Sequence, residues 1–216
     1  MKRDNNDNTS RNTQIEEFLS ARYEFRYNTV LNRAEYRPRG TGDYTTIDRY
    51  RINTLKRALD KEVDVQTSPE NLYSIIESDF SPRINPVQAY FHSLPIMEEA
   101  KKGAITALAD CVSVANPEKW REYLTKWLVA VVANAMDDRQ CRNHTCLVQT
   151  GEQGKFKTTF LDLLCPPALS DYQYTGKIYP QEKDVLSLIG QNLIINIDDQ
   201  LKALNKRDEN ELKNLI

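Results

Sequence analysis

Thr145–Phe160 reads TCLVQTGEQGKFKTTF, and the rest of the chain is organised around it. The apolar run Cys146-Leu147-Val148 predicts a buried strand. The chain then turns through Gly151 and Gly154 and enters a helix on Lys157-Thr158-Thr159. A strand, a glycine-containing loop and a helix opening on Lys-Thr form a phosphate cradle. Backbone N–H groups point into one concavity, the lysine reaches the β- and γ-phosphates, and the first hydroxyl ligates Mg²⁺. The usual spacing is G-x-x-x-x-G-K-[ST]; Gly151, Lys157 and Thr158 fit it, and Phe156 stands where the second glycine belongs. That position commonly needs a backbone that only glycine adopts without strain. The candidate phosphate-contacting set is Gly151, Gln153, Gly154, Lys155, Phe156, Lys157, Thr158 and Thr159. The plainer alternative is a glycine turn ahead of an ordinary helix.

A second element weighs against that alternative. About forty residues on, NLIINIDD (192–199) predicts a buried strand ending in two carboxylates. Runs of this kind suit central parallel strands, and an acid at their carboxyl end lies at the ligand-binding edge of an open α/β sheet. Asp198, with Thr158, is the candidate Mg²⁺ ligand. Asp199 is the candidate catalytic residue, placed to orient or deprotonate an attacking water.

Composition sets outer bounds. The chain has 216 residues, 40% hydrophobic and 28% charged, which suits one or two soluble globular domains. A net charge of −2 gives no strong overall attraction to nucleic acid. No apolar run approaches the roughly twenty residues of a membrane span, and the polar start MKRDNNDNTSRNT lacks a secretory signal. The expected location is the cytoplasm. Cys141 and Cys146 flank His144, but the C-x4-C spacing is wrong for a zinc knuckle and no second pair follows. The four cysteines are therefore expected as reduced thiols.

Ahead of the loop the pattern divides. Residues 1–13 read as a disordered tail and 14–80 as a small basic α+β region. There Tyr23–Tyr27 alternates as a strand, Ala34–Arg37 returns as a hairpin partner, and 38–46 is a loop. A helix over 47–60, a short strand at Val63–Val65 and a helix starting at Ser68-Pro69 follow. Between Arg22 and Lys61 stand ten Arg or Lys against five Asp or Glu, a modest pointer to nucleic acid. Tyr23, Phe25, Tyr27 and Tyr36 could stack bases, but packing on the following helices is the simpler reading. Residues 81–96 form a proline-containing connector with a short helix at Tyr90-Phe91. Residues 97–140 are a helical segment, and 141–216 the loop-bearing core. Within the helical segment, 97–115 and 118–136 read as helices, the second with a Trp120-Leu124-Trp127-Leu128-Val131 stripe taken as core. Beyond the loop, Cys165-Pro166-Pro167 stops its helix, Tyr172 and Tyr174 suggest a strand, and 183–190 and 199–216 read as helices.

With these residues in view, the chain resembles the virulence-associated protein E family of P-loop ATPases, found on phages and mobile elements beside primase modules. The resemblance runs from about Tyr23 to Ile216. It is carried by RYEFRYNTVLNRAEYR, SDFSPRINPVQAYFHSLP, KWLVAVVANAM, NHTCLVQTGEQGKFKTTFLDLLCPP and NLIINIDDQLKALNKRDENELKNLI. It implies an α/β fold with a RecA/AAA-like P-loop NTPase core, related to superfamily 3 helicases. It also implies ATP and Mg²⁺ as ligands, DNA as partner and possible homo-oligomers. It further implies another strand with a polar γ-phosphate sensor and an arginine finger. Neither can be assigned before Ile216, so the core is expected to be incomplete at the C-terminus, an N-terminal portion of a longer ATPase. Three readings compete: a nucleic-acid-dependent, helicase-like ATPase of mobile-element replication; a nucleotide-binding or interaction module without turnover; and a small-molecule P-loop kinase. The third is weakened by the lack of an Arg-rich lid segment.

Overall fold

The computed structural model describes residues 10–96, 103–138 and 145–197. It is mixed α/β and divides at Pro86/Val87 into two compact units. No helix among the described residues is long and apolar enough to cross a membrane.

The first unit begins with α1 (Arg11–Arg22), capped by Ser10, whose side chain accepts from the Thr13 N–H. Arg11–Thr13, read from sequence as part of the tail, form its first turn. Its Ile15, Phe18 and Leu19 are buried at helical spacing. Next come β1 (Tyr23–Asn28), β2 (Arg33–Pro38), β3 (Thr45–Thr46), α2 (Arg49–Glu62), α3 (Pro69–Ile76) and β4 (Arg83–Ile84). The sheet order is β3-β2-β1-β4, with β1–β2 and β2–β3 antiparallel and β4 parallel to β1. The hairpin is as the alternation predicts, and Ser68 caps α3 through the Asn71 N–H. Two readings are corrected. Thr45–Thr46 is a short strand inside the expected loop, and Val63–Val65 is not a strand. The chain leaves α2 in extended backbone at Val63 and packs Val63 and Val65 against the core, paired with no strand among the described residues.

One face of this sheet is the core. Tyr23, Phe25 and Tyr36 pack on one another with ring centroids 5.6–6.2 Å apart, beside fully buried Leu19, Leu55, Leu59, Leu72 and Ile76. The aromatics thus serve packing. The opposite parity of β1 and β2 carries charge. Glu35, 3% exposed, faces Arg26 across the ladder and accepts from Arg26 Nε (2.8 Å), Asn28 Nδ2 (2.9 Å) and Arg33 Nε (3.1 Å). Glu24 pairs with Arg37 beside it, and the Arg26 and Arg37 guanidinium groups lie 3.9 and 4.5 Å from the centre of the Tyr44 ring.

The second unit opens on α4 (Pro86–Ser93), which holds Tyr90 and Phe91 as expected, and continues with α5 (Ala104–Asp110) and α6 (Pro117–Met136). Residues 97–102 lie outside the described residues, and α5 ends five residues before the sequence pattern suggests. Asn116 caps α6 through the Lys119 N–H, with Pro117 at the first helical position. Trp120 donates from Nε1 to the Ala109 carbonyl (3.0 Å) and joins Ala109 and Leu124 in a cluster. Trp127, Leu128 and Val131 are only half-buried, and Val132 is exposed, so the stripe is core in its first half alone. Then follow α7 (Lys157–Asp162), a 3-10 turn at Pro167–Tyr172, β5 (Gln173–Gly176), α8 (Val185–Gln191) and β6 (Ile194–Ile197). The two strands are parallel, with Thr175 opposite Asn196, and α8 lies in the crossover between them. Tyr174, Ile195 and Ile197 pack with Val185, Leu188 and Ile189 on the α8 side.

The expected strand at Cys146–Val148 does not form; Thr145–Thr150 has no regular secondary structure. Of the three apolar residues only Leu147 is partly buried. Leu147 packs in the Trp120 cluster, while Cys146 and Val148 (57% exposed) turn outward. The helix expected over 199–216 lies outside the described residues.

The buried Glu35 predicts an acid-labile first unit. Burial alone would raise its carboxyl, but hydrogen bonds from Asn28 and Arg26, with the Arg26 charge, hold it below the ordinary glutamate value. A carboxyl lowered by folding contributes stability that is present at neutral pH and lost as pH falls through its folded value. Glu35→Leu should cost about 1–3 kcal/mol at pH 7, since it strands three donors. The cost should shrink in acid, as read by urea unfolding at pH 7 and pH 4. Equal costs at the two pH values would contradict this assignment.

Candidate nucleotide-binding loop

The loop between Thr150 and Lys157 is built on three left-handed residues: Gly151 (φ 155°), Gly154 (φ 79°) and Phe156 (φ 54°, ψ 26°). Phe156 is therefore in the conformation that the usual glycine supplies, at a strain of about 1–2 kcal/mol for a side chain there. The residue is 78% exposed. The left-handed residue reverses the chain and launches α7, whose first bond runs from the Phe160 N–H to the Phe156 carbonyl (2.9 Å).

Lys157, the first residue of α7, folds back over the loop. Its Nζ donates to the carbonyls of Glu152 (2.7 Å) and Gly151 (3.2 Å). Gln153, Gly154 and Lys155 are exposed at the tip, where Lys155 lies 3.6 Å from the Glu152 carboxylate. Thr158 is half-buried, whereas Thr159 points to solvent. At the entry to the loop, Gln149 Nε2 is buried with no hydrogen-bond partner among the described residues, a kind of donor that native proteins seldom leave unsatisfied.

The base of the site is a carboxylate hub that the sequence reading missed. Asp162, one turn after Thr158, accepts at Oδ1 from Thr175 Oγ1 (2.6 Å), Asn196 Nδ2 (2.8 Å) and Gln173 Nε2 (3.3 Å). Asn196 Nδ2 also lies 3.3 Å from the Thr158 carbonyl. The signal was visible as a polar residue inside the apolar run LIINI, and as the alternation of Gln173 with Thr175. The strand at 194–197 is thereby brought to the helix bearing Lys157 and Thr158, as its order in the sequence suggested. Phe160 of α7 and Leu164, just beyond its end, pack on the Trp120 cluster, with the Phe160 and Trp120 rings 6.0 Å apart. Asp198 and Asp199, the candidate metal ligand and catalytic acid, lie outside the described residues, as do Cys141 and His144.

No curated protein matches the chain. Residues 97–216, which hold α5 to β6 and the whole loop, match the virulence-associated protein E-like domain. That match spans more than half of the sequence, and the chain belongs to the virulence-associated protein E-like family.

Proposed function

We propose that the chain binds ATP and Mg²⁺ at the Gly151–Thr158 loop and serves mobile-element DNA replication as a helicase- or primase-associated ATPase, on a RecA/AAA-like P-loop core. The family supports the mobile-element setting. The observation that carries the ligand is the backward fold of Lys157 over the two loop carbonyls, which aims its ammonium across the loop rather than into solvent. The donor set fits a phosphate chain: an ammonium, a threonine hydroxyl and the buried Gln149 amide, whose Nε2 has no hydrogen-bond partner among the described residues. In this reading Gly151, Gln153, Gly154, Lys155 and Phe156 line the phosphates with backbone N–H groups, and Lys157 contacts the β- and γ-phosphates. Thr158 and Asp198 hold the metal, and Asp199 orients water. Bound Mg²⁺ would neutralise charge between the β- and γ-phosphates. The alternative reading is nucleotide binding without turnover. Phosphate release by the chain, lost in Asp199→Asn, separates the two.

Nucleic acid as partner draws on the first unit, where the ion pairs reduce the available charge. Arg26, Arg33 and Arg37 are matched by Glu35 and Glu24, Arg51 by Asp48, Lys56 by Asp60, and Arg22 by Glu62. Arg57 and Lys61, on the exposed side of α2, form no ion pair among the described residues.

Lys157→Ala should weaken ATP–Mg²⁺ binding by about ten- to a hundredfold, the worth of charge-assisted bonds. Calorimetry reads this, and unchanged affinity in a folded variant would refute the loop assignment. Phe156→Gly should keep or raise affinity and leave stability within about 1 kcal/mol, because relief of the left-handed strain is offset by glycine's added chain entropy. A tenfold loss would instead place the ring against the ligand. DNA binding should be weak, with a log–log salt slope of about −2, two to three phosphate contacts at roughly −0.7 to −0.9 each. No shift of DNA at low salt would exclude this partner.

A further inference from the structure

We propose that Asn196 and Asp162 are positioning residues for the nucleotide's metal: together they set the main chain from which the Thr158 hydroxyl projects. The inference rests on the P-loop reading of Gly151–Thr158.

Asn196 sits inside an apolar strand and is 6% exposed. A buried carboxamide is costly unless bonded, and a leucine at this position would serve the packing between strand and helix equally well. What a leucine cannot do is bond directionally. The Asn196 Nδ2 reaches both ends of one helical turn, at the Thr158 carbonyl (3.3 Å) and the Asp162 carboxylate (2.8 Å). That turn belongs to a six-residue helix, too short to hold its own shape. Two bonds from one amide fix both its rotation about its axis and its slide along the strand. Asp162 completes the lock, since the Gln173 and Thr175 side chains meet it from the paired strand, and Gln173 Nε2 also bonds the Asp162 carbonyl (3.0 Å). The bond to Thr158 is made to its main chain, so Asn196 acts on the hydroxyl through the backbone.

The test uses the full chain and the variants Asn196→Leu, Asp162→Leu and Asp162→Asn. ATP affinity is measured with Mg²⁺ and with excess chelator, alongside thermal unfolding and Lys157→Ala as reference. In Asn196→Leu and Asp162→Leu, the Mg²⁺-dependent gain in affinity should fall about tenfold, the usual cost of removing a support behind a metal ligand, while metal-free affinity stays within about twofold. Asp162→Asn keeps an acceptor oxygen and should hold most of the gain. The same pattern should appear in the spectrum of Mn²⁺ bound with nucleotide. An unchanged Mg²⁺ gain in folded Asn196→Leu, with Lys157→Ala still defective, overturns the positioning role and leaves the P-loop reading intact. Equal losses with and without metal also overturn it, as a purely structural effect. If Asn196→Leu does not fold, the contrast between Asp162→Asn and Asp162→Leu decides. A parent chain that binds no ATP under either condition removes both readings.

Discussion

One carboxylate ties the helix after the loop to the strand pair of the second unit. A two-stranded sheet is marginal in water, and so is a six-residue helix. Here each depends on the other through Asp162, which gathers donors from β5 and β6 at 2.6–3.3 Å. The ladder makes this possible, because Thr175 and Asn196 stand opposite each other and point to the same side. The apolar side of the same strands packs against α8 through Tyr174, Ile195 and Ile197. The first unit uses the same device. Glu35 collects Arg26, Asn28 and Arg33 on the sheet face away from the helices.

How much of this was legible follows from the range of the interactions. Local signals read true: the period of Tyr23–Tyr27, the Ser68-Pro69 cap, the Asn116-Pro117 start of α6, and the apolar strand read at 192–199, of which Ile194–Ile197 forms among the described residues. Signals that need a distant partner did not. Thr45–Thr46 and Arg83–Ile84 are strands of two residues, too short to show a period, and exist because β2 and β1 offer free edges. Cys146–Val148 shows the converse, an apolar run without a pairing partner among the described residues. The α6 stripe overstated burial because sequence spacing records which residues share a face, not how far along the helix that face is covered.

At the loop, residue type and spacing marked Lys157 and Thr158, and the place of Phe156 implied the positive φ it adopts. The Asp162 hub went unread because its members are spread from 162 to 196, and its one local sign, Asn196 inside an apolar run, names no partner. The Gln149 donor was hidden for another reason: burial of a single atom is a property of packing, which no periodicity reports.

The packing of Trp120 on Phe160 makes α6 a lever. The pivot lies one turn from the start of a twenty-residue helix, and α7 bears directly on it. From Trp120 to Met136 the axis runs about 24 Å, so a tilt of about five degrees at the pivot carries the far end by roughly 2 Å. Just past that end, Asp138 accepts from Gln88 Nε2 of α4 at 2.6 Å, on the first helix after the division at Pro86. A tilt of α6 at that pivot would therefore be felt most at the Gln88–Asp138 hydrogen bond, inside the second unit.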